Sequence, residues 1–389
     1  MLKDWIYVDF SVGTMADALP GGRVNRMKPF GIDLRYPFAP VNTSYSSNTY
    51  FLVPTVPDLP ATIRGALWVD KNEKIYKYGG YFLDKSLWNS TGHDLDTRPS
   101  ELWALETANR TWSKLPPPGG SPVVGARSGG VASSADLGLG FYAGGSLNNM
   151  TDSQFGNWTN KLEPVLNTLL TYDMEQNSFT NTTIPFDPFT LSSLVYVPVG
   201  QKGILLFLGG ISVSDGAFNG STNTTRNRDM DYINIYDIAK KAWYLQRASG
   251  YIPRDRYWFC TAVAVAADNS SYNIIIHGGL SLSSHEAFAD TYVLSLPSFV
   301  FFRVDNAMDQ VRRYDHTCHL RNNKLFVLGG RDVDQEMRSW IGWENGACDP
   351  NGFVNVLDVN TFSWDASYDP ADTGEYLVHK SIYRVIGGK

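Results

Sequence analysis

The chain has 389 residues, longer than most single domains but within the range of closed all-β folds. Hydrophobic residues make up 43% and charged residues only 19%, with a formal net charge of −6, so no electrostatic footprint for nucleic acid or an anionic membrane surface is present. No apolar run approaches the roughly 18 residues needed to cross a bilayer; the bulky stretch Ile204 to Leu208 is only five residues long.

The N-terminus, MLKDWIYVDF, reads as a strand and lacks the apolar segment of a secretion signal, so a leader is either already removed or was never present. Strand-like IYVDF and FGIDLRYPF follow, with Asp33 at an acidic turn position. A Gly-Gly doublet then closes an apolar strand five times: KIYKYGG ending at Gly80, LGFYAGG at Gly145, ILLFLGG at Gly210, NIIIHGG at Gly279 and KLFVLGG at Gly330. A sixth, IYRVIGG, ends at Gly388, one residue before the last. The spacing between doublets is loose, but a second register is strict. An acidic residue, once Ser, is followed six positions later by an aromatic: Glu106 and Trp112, Asp173 and Phe179, Asp237 and Trp243, Ser295 and Phe301, Asp358 and Trp364.

Each repeat therefore reads as four antiparallel strands. The glycines allow positive φ and close backbone approach; the acid bonds turn amides between the outer two strands; the aromatic wedges against the neighbouring sheet. One such sheet cannot bury both faces, whereas radial stacking does so. The doublet and the acid-to-aromatic step resemble the kelch repeat, and the run DHTCHLRNNKLFVLGG, the second Cys in ACDPNGFVNVLDVNTFSW and the terminal VIGG resemble kelch ectodomains of filamentous fungal cell-surface proteins. The resemblance implies an all-β, six-bladed kelch-type β-propeller of four-stranded antiparallel blades, a single domain over 1–389. The expected blades are 59–118, 119–184, 185–248, 249–304 and 305–370, with a shared blade from 1–58 and 371–389 closed by strands from both termini, the last being IYRVIGG. In that family a stalk and membrane helix often follow, so any membrane attachment is expected through a segment beyond Lys389.

Three cysteines leave two readings open from the residues alone: Cys318 and Cys348 bridge while Cys260 stays a buried thiol, or all three are reduced. The family resemblance implies the Cys318–Cys348 bridge. Nine Asn-x-Ser/Thr acceptors, at Asn42, Asn89, Asn109, Asn149, Asn157, Asn181, Asn219, Asn223 and Asn269, point to the secretory pathway and a secreted or cell-surface location.

Long loops after the doublets should crowd one face around the channel mouth, the expected binding surface. Arg64, Arg127, Arg256 and Arg313, with His316, are expected at similar positions at the starts of inner strands, converging on the channel, where guanidinium groups favour a carboxylate or sugar acid. The competing reading is structural: they bond interblade carbonyls and acidic neighbours such as Asp255 and Asp315. Trp88, Trp158, Trp258, Trp340 and Trp343 are candidates for stacking on sugars or for anchoring loops.

No metal site, cofactor or catalytic set is expected. His316, Cys318 and His319 look like a ligand cluster, but on a strand His319 points away from the other two. No Walker loop, dinucleotide fingerprint or G-x-S-x-G elbow occurs. Copper radical oxidases also use kelch propellers, but with seven blades and added domains, which this chain lacks by the doublet pattern. The expected function is non-catalytic recognition of a glycan, peptide or protein. The alternative is a lyase, cyclase or hydrolase with its site in the channel.

Overall fold

The computed structural model describes residues 2–9, 29–39, 49–82, 99–121, 124–153, 163–218, 224–304, 312–331 and 354–386. Five sheets follow one another, each with four antiparallel strands meandering in chain order from inner to outer, and in two of them a two-residue strand, Gly119–Gly120 or Ser249–Gly250, adds to the outer edge in parallel. The second sheet of the chain comprises Ala66–Val69, Ile75–Tyr78, Leu102–Glu106 and Thr111–Lys114. The third comprises Gly130–Ser134, Leu139–Ala143, Thr168–Asp173 and Ser178–Thr183. The fourth comprises Ser193–Val197, Ile204–Leu208, Tyr232–Asp237 and Ala242–Arg247. The fifth is Cys260–Val265, Tyr272–His277, Thr291–Leu296 and Val300–Val304, and the sixth Tyr314–Arg321, Lys324–Arg331, Val354–Asp358 and Ser363–Asp365. Before them stands a first sheet of three strands, Trp5–Val8, Phe30–Asp33 and Tyr50–Leu52. Meandering antiparallel sheets of this kind are consistent with the blades of a β-propeller.

The strict register of the sequence is realised as turn chemistry. Asp173 accepts from the amides of Glu175 and Gln176, and Asp237 from that of Lys240. Asp358 accepts from Asn360 and Thr361. The aromatic six residues on then packs between sheets. Trp112 joins the first and second sheets in one apolar cluster, and Phe179 the second and third. Trp243 lies between the third and fourth, Phe301 between the fourth and fifth, and Trp364 between the fifth and sixth. A further cluster packs Ile6, Phe30 and Ile32 of the first sheet on Phe326, Leu328, Val354 and Val356 of the sixth.

The Gly-Gly doublets link each sheet to the next through the main chain. The second glycine of a doublet donates its amide to a carbonyl at the entry to the following sheet: Gly80 to Ala126, Gly145 to Phe189, Gly210 to Arg256 and Gly279 to Arg313, each at 2.9 Å. At Gly144 φ is +65°, and a Cβ there would stand 2.3 Å from the carbonyl oxygen of Phe189. Gly144→Ala should therefore cost well above the roughly 1–2 kcal/mol of left-handed strain alone. Gly138, with φ +62° and open space around it, supplies that reference. In chemical melts, Gly144→Ala is expected to lose at least about 2 kcal/mol more than Gly138→Ala; equal losses would remove the close approach as the reason for the doublet.

Two expectations are corrected. The segment expected as a closing strand is an α-helix over Lys380–Ile386. Ile382 and Ile386 are spaced by one helical turn and pack into the cluster holding Ile275, Leu325 and Phe362, so helical rather than alternating burial satisfies them. Among the described residues, the segment after the sixth sheet meets the N-terminal region through the bridge Phe38 to Tyr368, with the Tyr368 hydroxyl donating to the Leu34 carbonyl at 2.9 Å. Second, Cys318 is bridged to Cys260, not to Cys348, which lies outside the described residues. The inner strands of the fifth and sixth sheets run side by side and bring the two Cα atoms to 5.3 Å, a normal disulfide span. Among the described residues no helix is long and apolar enough to cross a membrane.

Candidate functional site

Each of the five four-stranded sheets is entered through one residue with left-handed backbone: Arg64 (φ 58°), Ser128 (60°), Leu191 (59°), Trp258 (55°) and Asp315 (59°). None is glycine, and such a conformation is strained for Leu and Trp above all. The five are joined head to tail. The Ser128 amide donates to the Arg64 carbonyl at 2.9 Å and Leu191 to Ser128 at 2.7 Å. Trp258 donates to Leu191 at 3.3 Å, and Asp315 to Trp258 at 2.9 Å. These main-chain bonds hold the strained residues in an arc, and each side chain emerges at the same level of successive sheets.

These residues, with the one following each, line a cavity of about 150 Å³: Arg64 and Gly65, Ser128 and Gly129, Leu191 and Ser192, Trp258 and Phe259, Asp315 and His316. The Arg64 guanidinium is ion-paired to Asp315 and lies 4.8 Å above the Trp258 ring, which itself stacks on Tyr314 at 5.6 Å. The result is one aromatic face beside one compensated charge pair, with small polar or apolar groups completing the wall.

The structure divides the arginines expected to share a register. Arg64 reaches the cavity. Arg127 sits one residue before the equivalent position, and its side chain is held by Glu163 at 2.6 Å and by the face of Tyr81 at 5.3 Å. Arg256 and Arg313 sit two before it and are 0% and 1% exposed. Arg256 donates to the carbonyls of Gly278 (2.9 Å) and Arg254 (3.0 Å) and pairs with Asp290 at 2.6 Å; Arg313 donates to the Gly329 carbonyl at 2.7 Å. Thus Arg64, Trp258 and His316 line the cavity and Arg127, Arg256 and Arg313 do not. Asp315, Ser128 and Leu191 were not singled out as lining residues. Their register could not be counted back from the doublets, because the hairpin between the first two strands varies from two residues at Arg321–Lys324 to six at Val197–Ile204.

Two imidazoles are buried here, His316 in the cavity lining and His277 beside it. His277 is held at about 3 by burial, with Arg313 adding to the effect. Burial drives His316 well below its usual value, and the nearby His277 carbonyl offsets a little of this without being placed to accept a hydrogen bond. Both rings are therefore neutral at physiological pH.

Among the other sequence candidates, Asn109, Asn181 and Asn269 are exposed and Asn149 is half-buried. Asn181 lies on an outer strand, the others in turns. Asn42, Asn89, Asn157, Asn219 and Asn223, and Trp88, Trp158, Trp340 and Trp343, lie outside the described residues.

No family model matches the chain. A kelch repeat-containing protein of the fungus Arthroderma benhamiae is similar to it. That protein is 27% identical over 360 residues, an alignment taking in 82% of this chain and 49% of the relative. The chain thus spans about half the length of the curated relative it matches. The likeness agrees with the blade-type sheets and the doublet register.

Proposed function

We propose that the six sheets close into one six-bladed ring and that the chain is a non-catalytic recognition module of the cell surface or extracellular space, binding a glycan, peptide or protein at the looped mouth of its channel. The apolar clusters support closure, because the first sheet packs on the second through one cluster and on the sixth through another. The nine glycosylation acceptors support the location.

The observation that carries the binding site is the arc of five strained residues with unlike side chains around one small cavity. Strain held in place by the scaffold is characteristic of functional positions. At about 150 Å³ the cavity is smaller than the roughly 300–1,000 Å³ of small-molecule sites, and suits insertion of one side chain or the edge of one sugar. Trp258 offers a stacking face, while Arg64 and Asp315 offer a donor and an acceptor whose mutual pairing a polar ligand group can exchange.

Glycan and peptide arrays probed with chain from a secretory host test this. Trp258→Ala should weaken the strongest hit by about tenfold to a hundredfold, the worth of a central aromatic anchor. Arg64→Ala should do so by a similar factor, while Arg127→Ala, whose side chain is engaged elsewhere, changes it less than threefold. Melting curves separate lost binding from lost folding. Unchanged binding in both mouth variants would remove the site. N-glycosidase should lower the mass of the same preparation; no loss of mass would remove the proposed location.

A further inference from the structure

A second cluster lies between the fifth and sixth sheets. In the fifth, Cys260 stands directly opposite His277 across the inner strand pair, so both side chains leave on the same face. In the sixth, His316 and Cys318 are two apart on the inner strand and share a face as well. Each sheet thus presents one sulfur and one imidazole to the other. The Sγ atoms of Cys260 and Cys318 and a ring nitrogen of His316 lie within 4.8 Å of one another, and the His277 and His316 ring centroids are 5.5 Å apart.

The hydrogen-bonding capacity of the imidazoles is left largely unused. His316 is 6% exposed, and neither of its ring nitrogens has a hydrogen-bond partner. His277 is fully buried; its Nδ1 meets the Thr291 hydroxyl at 3.0 Å, while its Nε2 has no partner. Buried polar atoms without partners ask for an explanation, and a bound ion is one such explanation. Two sulfurs with two imidazoles are the donor set of a closed tetrahedral zinc site, and a hydroxyl on the far nitrogen is the support that fixes a ligating ring.

We propose that opening the Cys260–Cys318 bridge creates a site for one thiophilic d10 cation, such as Zn²⁺, held by both sulfurs and His316, with the fourth position taken by water or, after a shift of its ring, by the unpartnered Nε2 of His277. Opening takes two electrons and two protons from a dithiol reductant, which becomes a disulfide while the bridge becomes two thiols. Binding a divalent cation then releases both protons. Two thiolates balance the cation, so the filled site adds no net charge to the interior. The same two sheets are therefore joined either by the disulfide under oxidising conditions or by the metal under reducing ones.

The test uses the full chain made in a reducing cytosol and the same chain after oxidation, with Co²⁺ as the probe. The reduced chain should bind one equivalent with the intense visible and near-ultraviolet bands of tetrahedral sulfur ligation, and Zn²⁺ should displace it. The oxidised chain should bind none. Cys318→Ser should abolish the spectrum and Cys348→Ser leave it intact. His316→Ala should weaken binding by more than about 100-fold, beyond the loss usual for a group that only supports a ligand. Equal binding by both redox forms, no stoichiometric binding by the reduced form, or a spectrum surviving Cys318→Ser would overturn the proposal. Should the reduced chain unfold, refolding on addition of Zn²⁺ supports the site and failure to refold overturns it.

Discussion

Arg256→Met should destabilise the protein by about 3 kcal/mol, the low end of the range for removing one partner from a buried ion pair, because Arg256 is fully buried while Asp290 is only half-buried. Arg256 is fully buried, and its guanidinium serves the Gly278 and Arg254 carbonyls and the Asp290 carboxylate while lying 4.2 Å over the Phe288 ring and 5.3 Å over Tyr292. Methionine fills much of the volume but leaves Asp290 and two carbonyls without their donor. Arg256→Lys should recover little, since a single ammonium cannot fork to the same acceptors. Arg254, exposed and paired with Glu286 at 3.2 Å, is the control, and its methionine variant should stay within about 0.5 kcal/mol of the parent. Denaturant titrations read both, and comparable losses would show that the buried guanidinium does not tie the fifth sheet together.

Ile32→Asp should lower stability by more than about 4 kcal/mol, since it places a carboxylate without a partner in an apolar interior. Ile32 is fully buried among Phe326, Leu328, Val354, Val356 and Tyr368, all from the far end of the chain. The expected melt remains one cooperative transition at lower temperature, with its near-ultraviolet and far-ultraviolet signals moving together, because in a closed ring the first sheet supports the neighbours on both sides. If the variant instead released only the N-terminal segment while the remainder melted at the parental temperature, the first sheet would be an appendage and closure would fail.

The outer halves of the repeats were legible because their signals are local. An aspartate reaching amides two or three residues on, and an aromatic at a fixed offset, need no knowledge of the rest of the chain. The doublets were legible for a related reason, as only glycine tolerates the approach of the next sheet's backbone. What stayed hidden depends on how neighbouring sheets align. Cys260 and Cys318, 58 residues apart, meet because two inner strands run side by side, and hairpins of unequal length conceal that alignment. The same variation made four arginines look equivalent when only Arg64 reaches the cavity. The last segment reads as a strand by its likeness to earlier doublets, yet Ile382 and Ile386 find their burial one helical turn apart.

The arc of left-handed residues is built entirely from main-chain bonds, and it carries arginine, serine, leucine, tryptophan and aspartate with almost one backbone geometry. A frame indifferent to its side chains works like a row of sockets. If the cavity binds as proposed, exchanging what is plugged in would rewrite specificity without reopening the folding problem, and descendants of such a chain could drift from one ligand to another by changes at a handful of places.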